Sequence, residues 1–183
     1  MGQFILITGA CRSGKSRYAL ERAKQEGENV LYIATCQPSD QEMQERIKRH
    51  QKERPAHWHT LENRWDLATV LEEKKGQYDC FLIDCLTLWA SYLLVQGESE
   101  DFICQRAEEA VSVICSISAT VIAVTNEVGW GVVPESESGR RFRDLAGKVN
   151  QVLAKAADEV ILMVAGIPIH VGADLRICQK ETS

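Results

Sequence analysis

The octapeptide Gly9-Ala10-Cys11-Arg12-Ser13-Gly14-Lys15-Ser16 constrains this chain more than any other stretch, because it fits GxxxxGKS with the right flanks on both sides. Before it, Phe4-Ile5-Leu6-Ile7-Thr8 is a short β-branched apolar run of buried-strand type, and after it residues 17–24 have helical composition without Gly or Pro. Strand, glycine loop and helix in that order make a phosphate cradle. Gly9 and Gly14 permit backbone angles that other residues resist, so successive N–H groups can turn toward the α- and β-phosphates of a nucleotide at the positive end of the helix. Lys15 then reaches the β- and γ-phosphates, and the Ser16 hydroxyl is placed for a magnesium ion that bridges them. A glycine-bearing turn in an α/β protein is the bland alternative, and the strand and helix flanks weigh against it.

At 183 residues the chain suits a single domain, residues 1–183, with no Pro/Gly/Ser-rich linker to divide it and a loose tail from about residue 172. The net charge of −5 argues against nucleic acid as a partner, since neutralising many phosphates needs a basic face. Small anionic ligands need only a local cluster. Seven cysteines (Cys11, Cys36, Cys80, Cys85, Cys104, Cys115 and Cys178) form no CxxC and no paired Cys/His spacing, so zinc is not expected. Their odd number, with Cys80, Cys85 and Cys115 in apolar stretches, reads as reduced thiols of a cytoplasmic protein. No transmembrane segment is expected, because no apolar run is long enough. The start lacks a signal peptide, and Leu6 stands where a myristoylation signal wants Ser or Thr.

Taken in order, the chain predicts an α/β fold with a mainly parallel central sheet and helices on both faces. Val30-Leu31-Tyr32-Ile33-Ala34 reads as a second buried strand ending at Thr35, forming a parallel pair with the first and placing Ala34 and Thr35 near a bound nucleotide. Residues 40–54 read as a helix with a thin apolar seam of Met43, Ile47 and His50, stopped by Pro55. On it Arg46 and His50 share a face, with Arg49, Lys52 and Arg54 nearby; viewed alone, that cluster is more often a solvated face than a site. His57-Trp58-His59-Thr60-Leu61-Glu62 reads as extended, and its two histidines as an incidental exposed pair without a third metal ligand. A helix over residues 65–75 follows.

Cys80-Phe81-Leu82-Ile83-Asp84 is an apolar run ending in an acid. Asp84 is either the Walker B carboxylate that holds the water shell of magnesium or a cap for the helix over residues 87–96. A helix over 101–118 and a strand over 120–125 continue the pattern. The loop 126–134 leaves that strand's carboxyl end carrying Asn126, Glu127 and Trp130, with Trp130 open to a substrate role or to packing. The helix over 140–158 is expected to bury Phe142, Leu145, Val149 and Val152, and it carries Arg140 and Asp144 four residues apart. Residues 160–164 form the next strand, and 167–171 a hairpin partner at an edge, where Pro168 is tolerated.

Three sets of residues together carry a resemblance: the glycine loop; Arg46-Ile47-x-x-His50 on to Arg54-Pro55-x-x-Trp58-x-Thr60-x-Glu62; and Thr125-Asn126-Glu127-Val128-Gly129 through Phe142-Arg143-Asp144 and Asn150-Gln151. With them the sequence resembles the bifunctional adenosylcobinamide kinase / adenosylcobinamide-phosphate guanylyltransferase family, over about residues 3 to 171. The resemblance implies a RecA-like P-loop NTPase fold, assembly as a homotrimer, and two reactions of cobalamin assembly on a corrinoid. In the first, a nucleoside triphosphate phosphorylates the aminopropanol hydroxyl; in the second, GMP passes from GTP to that phosphate and pyrophosphate leaves. It further implies that His50 carries the GMP covalently, with Lys15 as its catalytic companion, and that GTP and Mg2+ are required, ATP being an alternative phosphoryl donor. Nucleotide contacts of the family map onto Gly9 to Ser16, onto Ile33, Ala34 and Thr35, onto Gln51, Lys52, Glu53 and Arg54, and onto Glu62 and Asp84, with Ser16 and Asp84 on the metal side. Cys11 stands where the family often has Ala, and the tail after Val171 runs past its usual end.

The residues suit that chemistry. A histidine attacks phosphorus only as neutral imidazole, and the cations Arg46, Arg49 and Lys52 are expected to disfavour imidazolium while stabilising charge at the α-phosphate and the leaving pyrophosphate. Glu62 is the first candidate for a nucleotide contact, to guanine or to ribose, and Glu127 the second. Two other classes stand beside this reading: a P-loop small-molecule kinase without the guanylyl step, and a nucleotide-gated switch or motor, which the His50 segment disfavours. The base that deprotonates the substrate hydroxyl and the seat of the corrinoid are not legible.

Overall fold

A computed structural model describes residues 2–35, 41–62 and 65–172, without the side chains of Glu42, Met43, Arg46 and Arg49. The expectations for Met43, Arg46, Arg49, Cys36, Cys178 and the tail therefore lie outside the described residues. In chain order the elements are β1 (Phe4–Gly9), α1 (Lys15–Glu26), β2 (Val30–Ala34), α2 (Gln41–Glu53), β3 (His59–Glu62), α3 (Leu67–Lys74) and β4 (Cys80–Asp84). They continue with α4 (Leu86–Val95), α5 (Glu100–Ser116), β5 (Thr120–Val124), α6 (Glu137–Ala156), β6 (Glu159–Val164) and β7 (Ile167–Val171).

The seven strands form one sheet in the order β3-β2-β4-β5-β1-β6-β7, parallel throughout except for β7, which runs antiparallel to β6. This is the expected P-loop α/β arrangement. One expectation needs correcting: β1 and β2 run in the same direction but are not neighbours, since β4 and β5 lie between them. A strand–helix–strand crossover sets direction and hand, not the number of strands it skips. Here α1 bridges the skipped strands, burying Ala19, Leu20 and Ala23 in one cluster with Cys80, Leu82, Ile122 and Val124.

Side chains alternate along each strand, so one buried run serves two cores. Phe4, Leu6, Leu31, Ile33, Phe81, Ile83, Val121 and Ala123 meet α3, α4, α5 and α6 on one face. Ile5, Ile7, Val30, Tyr32, Leu82 and Ile122 meet α1 and Trp58 on the other. Phe81, the second residue of β4, is fully buried. Phe81→Ala is expected to cost about 3–5 kcal/mol, measured by urea unfolding, and a loss under about 1 kcal/mol would contradict its place in the core.

Side-chain caps set where three of the helices start, α3 a little later and α5 and α6 a little earlier than composition suggests. Asp66 accepts from Thr69 N at 3.1 Å, Ser99 from Phe102 N at 3.1 Å and Ser136 from Gly139 N at 3.2 Å. The buried stripe of α6 is Leu145, Ala146, Val149 and Leu153, with Phe142 and Val152 only half-buried. Arg140 and Asp144 do not pair: Arg140 donates to the Pro134 and Glu135 carbonyls, and Asp144 meets Arg143. Cys80 and Cys85 are buried, which pushes their thiols up to about 12 and about 11, whereas Cys115, although its stretch is apolar, lies exposed on α5. No helix among the described residues is long and apolar enough to cross a membrane.

Candidate active site

The carboxyl ends of the parallel strands open onto one edge of the sheet, where a ligand crevice is expected. At the end of β1 the glycine loop uses Gly9 at φ 146 and Gly14 at φ 96, both outside the range of ordinary side chains. A Cβ on Gly9 would lie 2.5 Å from the Met163 carbonyl oxygen, and one on Gly14 would lie 3.3 Å from Gly166 Cα. Gly166 also donates its N–H to the Ser13 carbonyl at 2.9 Å, so the turn between β6 and β7 braces the loop from outside. That brace has no signal in the sequence beyond the glycine itself. Lys15 is buried at 6% exposure, and its ammonium donates to the Ala10 carbonyl at 2.6 Å and to Ser13 Oγ at 3.4 Å. The cation is thereby folded into the loop it serves. Cys11 and Arg12 face solvent, and Ser16 is half-buried on the first turn of α1.

Asp84 ends β4, one strand away from β1, and is half-buried. Its Oδ2 accepts a 2.7 Å hydrogen bond from the Tyr32 hydroxyl, and the Tyr32 ring lies under the Arg54 guanidinium at 3.6 Å from the ring centroid. Burial, seconded by the Asp84 charge, raises the Tyr32 phenol well above its ordinary range and keeps it a donor. Asp84 makes no cap for α4, whose N-cap is Cys85 and lacks a side-chain bond.

Thr35 is fully buried and ties the two strand ends together, donating through Oγ1 to the Cys85 carbonyl at 2.6 Å and accepting from Cys85 N at 2.8 Å. Ile33 is equally buried and Ala34 nearly so. The side chains of this segment thus face the protein and hold the Asp84 end in place. Among the described residues no three His, Cys, Asp or Glu side chains gather as a metal cage. Ser16 and Asp84 instead offer hard oxygens, which suits magnesium, an ion held by one or two protein groups and completed by water and phosphate.

His50 lies on the last turn of α2, its side chain 25% exposed and its Nδ1 3.8 Å from Glu53 Oε2. The neighbouring Gln51 donates through Nε2 to Glu62 Oε1 at 2.8 Å, joining the end of α2 to the end of β3. Between them is a pocket of about 220 Å³ lined by Gln51, Arg54, Pro55, Ala56, Trp58, Thr60 and Glu62. Of the cations expected around His50, Lys52 is exposed beside Glu53 and Arg54 stacks on Tyr32. The charge described next to the imidazole is a carboxylate. His57 and His59 are both exposed, and His59 shares a 2.8 Å hydrogen bond with the Tyr78 hydroxyl.

A third group stands beyond β5. Glu127 donates its N–H to the Gly9 carbonyl at 3.1 Å, and its Oε1 accepts from Thr8 Oγ1 at 2.6 Å and Asn150 Nδ2 at 3.3 Å. Asn150 is itself oriented, accepting at Oδ1 from Thr125 Oγ1 at 2.7 Å. Glu62 and Glu127 belong to strand ends three intervals apart, roughly 14 Å at the sheet spacing, so they serve different parts of the site. Trp130 is 62% exposed, with Val132 at 93% and Val133 at 57%. The packed alternative for Trp130 is set aside, and an apolar loop faces solvent at the ligand edge.

Sequence reasoning passed over Tyr32, Thr8 and Gly166 as site residues. A tyrosine inside a fully buried strand does carry a signal, since its hydroxyl must find a partner.

Comparison with known proteins follows the same residues. The family described as cobinamide kinase / cobinamide phosphate guanyltransferase matches residues 5–171. The bifunctional adenosylcobalamin biosynthesis protein CobU of Salmonella typhimurium is 43% identical over 179 residues, covering 91% of this chain and 98% of that protein. The bifunctional adenosylcobalamin biosynthesis protein CobP of Pseudomonas aeruginosa is 42% identical over 164 residues, covering 90% and 94%. The CobU protein of Escherichia coli is 41% identical over 179 residues, covering 91% and 98%.

Proposed function

The chain belongs to the cobinamide kinase / cobinamide phosphate guanyltransferase family, and from that premise we propose that it performs both reactions at the one sheet edge. A nucleoside triphosphate phosphorylates the aminopropanol hydroxyl of adenosylcobinamide, and GMP from GTP is then transferred by way of His50 to give adenosylcobinamide-GDP.

The observation that carries this reading is the chain of contacts Arg54–Tyr32–Asp84, which joins the end of the His50 helix to the acid that ends β4, with only β5 between it and the strand of the phosphate loop. In the kinase step the N–H groups of residues 9–16 and the Lys15 ammonium hold the triphosphate. Ser16 and Asp84 would hold magnesium, which supplies charge neutralisation at the phosphates when bound. In the guanylyl step the imidazole attacks the α-phosphorus, a P–N bond forms and the bond to pyrophosphate breaks. An oxygen of the corrinoid phosphate then attacks the same phosphorus and releases the ring. Glu53 sits on the Nδ1 side of His50, which leaves Nε2 for the attack. Glu62, with one oxygen held by Gln51, turns the other to a base or ribose donor. GTP serves the second step; GTP or ATP serves the first. The exposed loop at Trp130 faces the bulky corrinoid. A homotrimer belongs to this reading, and the exposed Ile167 and Ile169 of edge strand β7 supply apolar surface for subunit contact.

The test is incubation with α-labelled GTP alone, followed by cobinamide phosphate. An acid-labile protein-bound GMP that moves to the corrinoid is expected. Corrinoid phosphorylation without any adduct would leave only a small-molecule kinase.

Cys11, exposed within the loop, gives a second check. Alkylation by iodoacetamide is expected to inactivate the enzyme, with GTP protecting Cys11 while the exposed Cys115 is modified equally in either case. Peptide mass mapping reads both sites, and an enzyme fully active after Cys11 is alkylated would contradict the placement.

A further inference from the structure

We propose that Glu127 is the general base that takes the proton from the attacking hydroxyl in the phosphoryl-transfer step, an inference that rests on the kinase half of the function above. An alcohol attacking phosphorus must lose its proton, and a base within hydrogen-bond reach of that oxygen contributes typically 10²–10⁴-fold. The described acids at the sheet edge divide cleanly. Glu62 pairs with Gln51 at the far end, and Asp84 is held by Tyr32 on the metal side. Glu127 alone of the three stands at the junction of β1 and β5, its N–H bound to the carbonyl of Gly9, the first residue of the phosphate loop.

Its surroundings suit a base better than a strut. Both hydrogen bonds to the carboxylate come from neutral donors, Thr8 and Asn150, and both go to Oε1. Oε2 accepts no hydrogen bond among the described residues, Glu127 is only half-buried, and among the described residues no cation forms an ion pair with it. The donors are fixed in turn, because Thr125 engages Asn150 Oδ1 and Thr87 Oγ1 lies 3.0 Å from Thr125 Oγ1. Such a supporting shell holds one oxygen so that the other points in a set direction. The chain leaving Glu127 carries Trp130, Val132 and Val133 on its exposed surface, so a bulky apolar substrate seated there brings its side arm past the carboxylate.

The step balances. Glu127 Oε2 accepts the hydroxyl proton as the alcohol oxygen bonds to the γ-phosphorus; the bond from that phosphorus to the β–γ bridging oxygen breaks, and a nucleoside diphosphate leaves. The proton then passes from Glu127 to water.

Glu127→Gln keeps the shape and the Oε1 acceptor but cannot take a proton. With γ-labelled nucleotide and adenosylcobinamide it is expected to phosphorylate the corrinoid at least about 100-fold more slowly, while GMP labelling of His50, read by intact mass, falls less than about threefold and the melting temperature is retained. Glu127→Asp keeps the charge, withdraws it by one methylene and is expected to show the same split at a smaller scale, which decides the matter should the glutamine variant fail to fold. Corrinoid phosphorylation within threefold of the parent, or an equal fall in both reactions, would overturn the assignment. A parent enzyme that does not phosphorylate adenosylcobinamide would instead overturn the function on which it rests.

Discussion

His50→Ala is expected to abolish the covalent attachment of GMP, by more than about 10³-fold, while corrinoid phosphorylation stays within about tenfold of the parent. Two features of the structure make the split large. The imidazole sits on the last turn of α2, whereas the phosphate loop belongs to β1 and α1, and three strand intervals separate β1 from β2. Losing the ring therefore removes a nucleophile without touching the cradle. The side chain is also a quarter exposed, and its described ionic neighbour is Glu53 alone, so the substitution costs little stability. Intact mass after incubation with GTP, with and without cobinamide phosphate, measures the adduct. Labelling equal to the parent, or label recovered on the adjacent Lys52, would remove His50 from its role.

Lys15→Ala is expected to behave in the opposite way, lowering both reactions together by at least about 10²–10³-fold. The ammonium is buried and held within the loop by the Ala10 carbonyl and Ser13 Oγ, so its charge is kept at the phosphate cradle. Alanine removes that charge and takes the donor from the Ala10 carbonyl. Binding of a fluorescent GTP analogue and turnover of each step measure the effect. Normal binding with normal turnover would refute the cradle. Taken together, the two variants separate a shared triphosphate grip from a private nucleophile: one lowers both reactions, the other only one.

Much of the fold was legible for a simple reason. β2 and β4 begin and end where the apolar runs Val30–Ala34 and Cys80–Asp84 do, because parallel strands buried on both faces read as unbroken apolar stretches. Pro168 marked the edge strand correctly, since an edge has a side that needs no donor. Nearness in sequence says less about which side chains meet. Cys115 adjoins the buried Ile114, yet the helical period turns it to solvent. Arg140 and Asp144 have the spacing of a helical pair, but Arg140 sits at the helix start, where the carbonyls of Pro134 and Glu135 are the nearer acceptors.

The site divides along the same line. Gly9, Gly14, Lys15 and Ser16, and the alternation of strands and helices around them, follow from backbone sterics and from burial repeating over a few residues. Those forces act within one element and leave their mark in its residues. The neighbours of β1, the bond from Tyr32 to Asp84, the seat of Arg54 over Tyr32, and the hold of Thr8 and Asn150 on Glu127 came only from the assembled sheet. Each depends on which strands α1 spans, and that order is chosen by how whole faces pack, a quantity that no local pattern of residues carries.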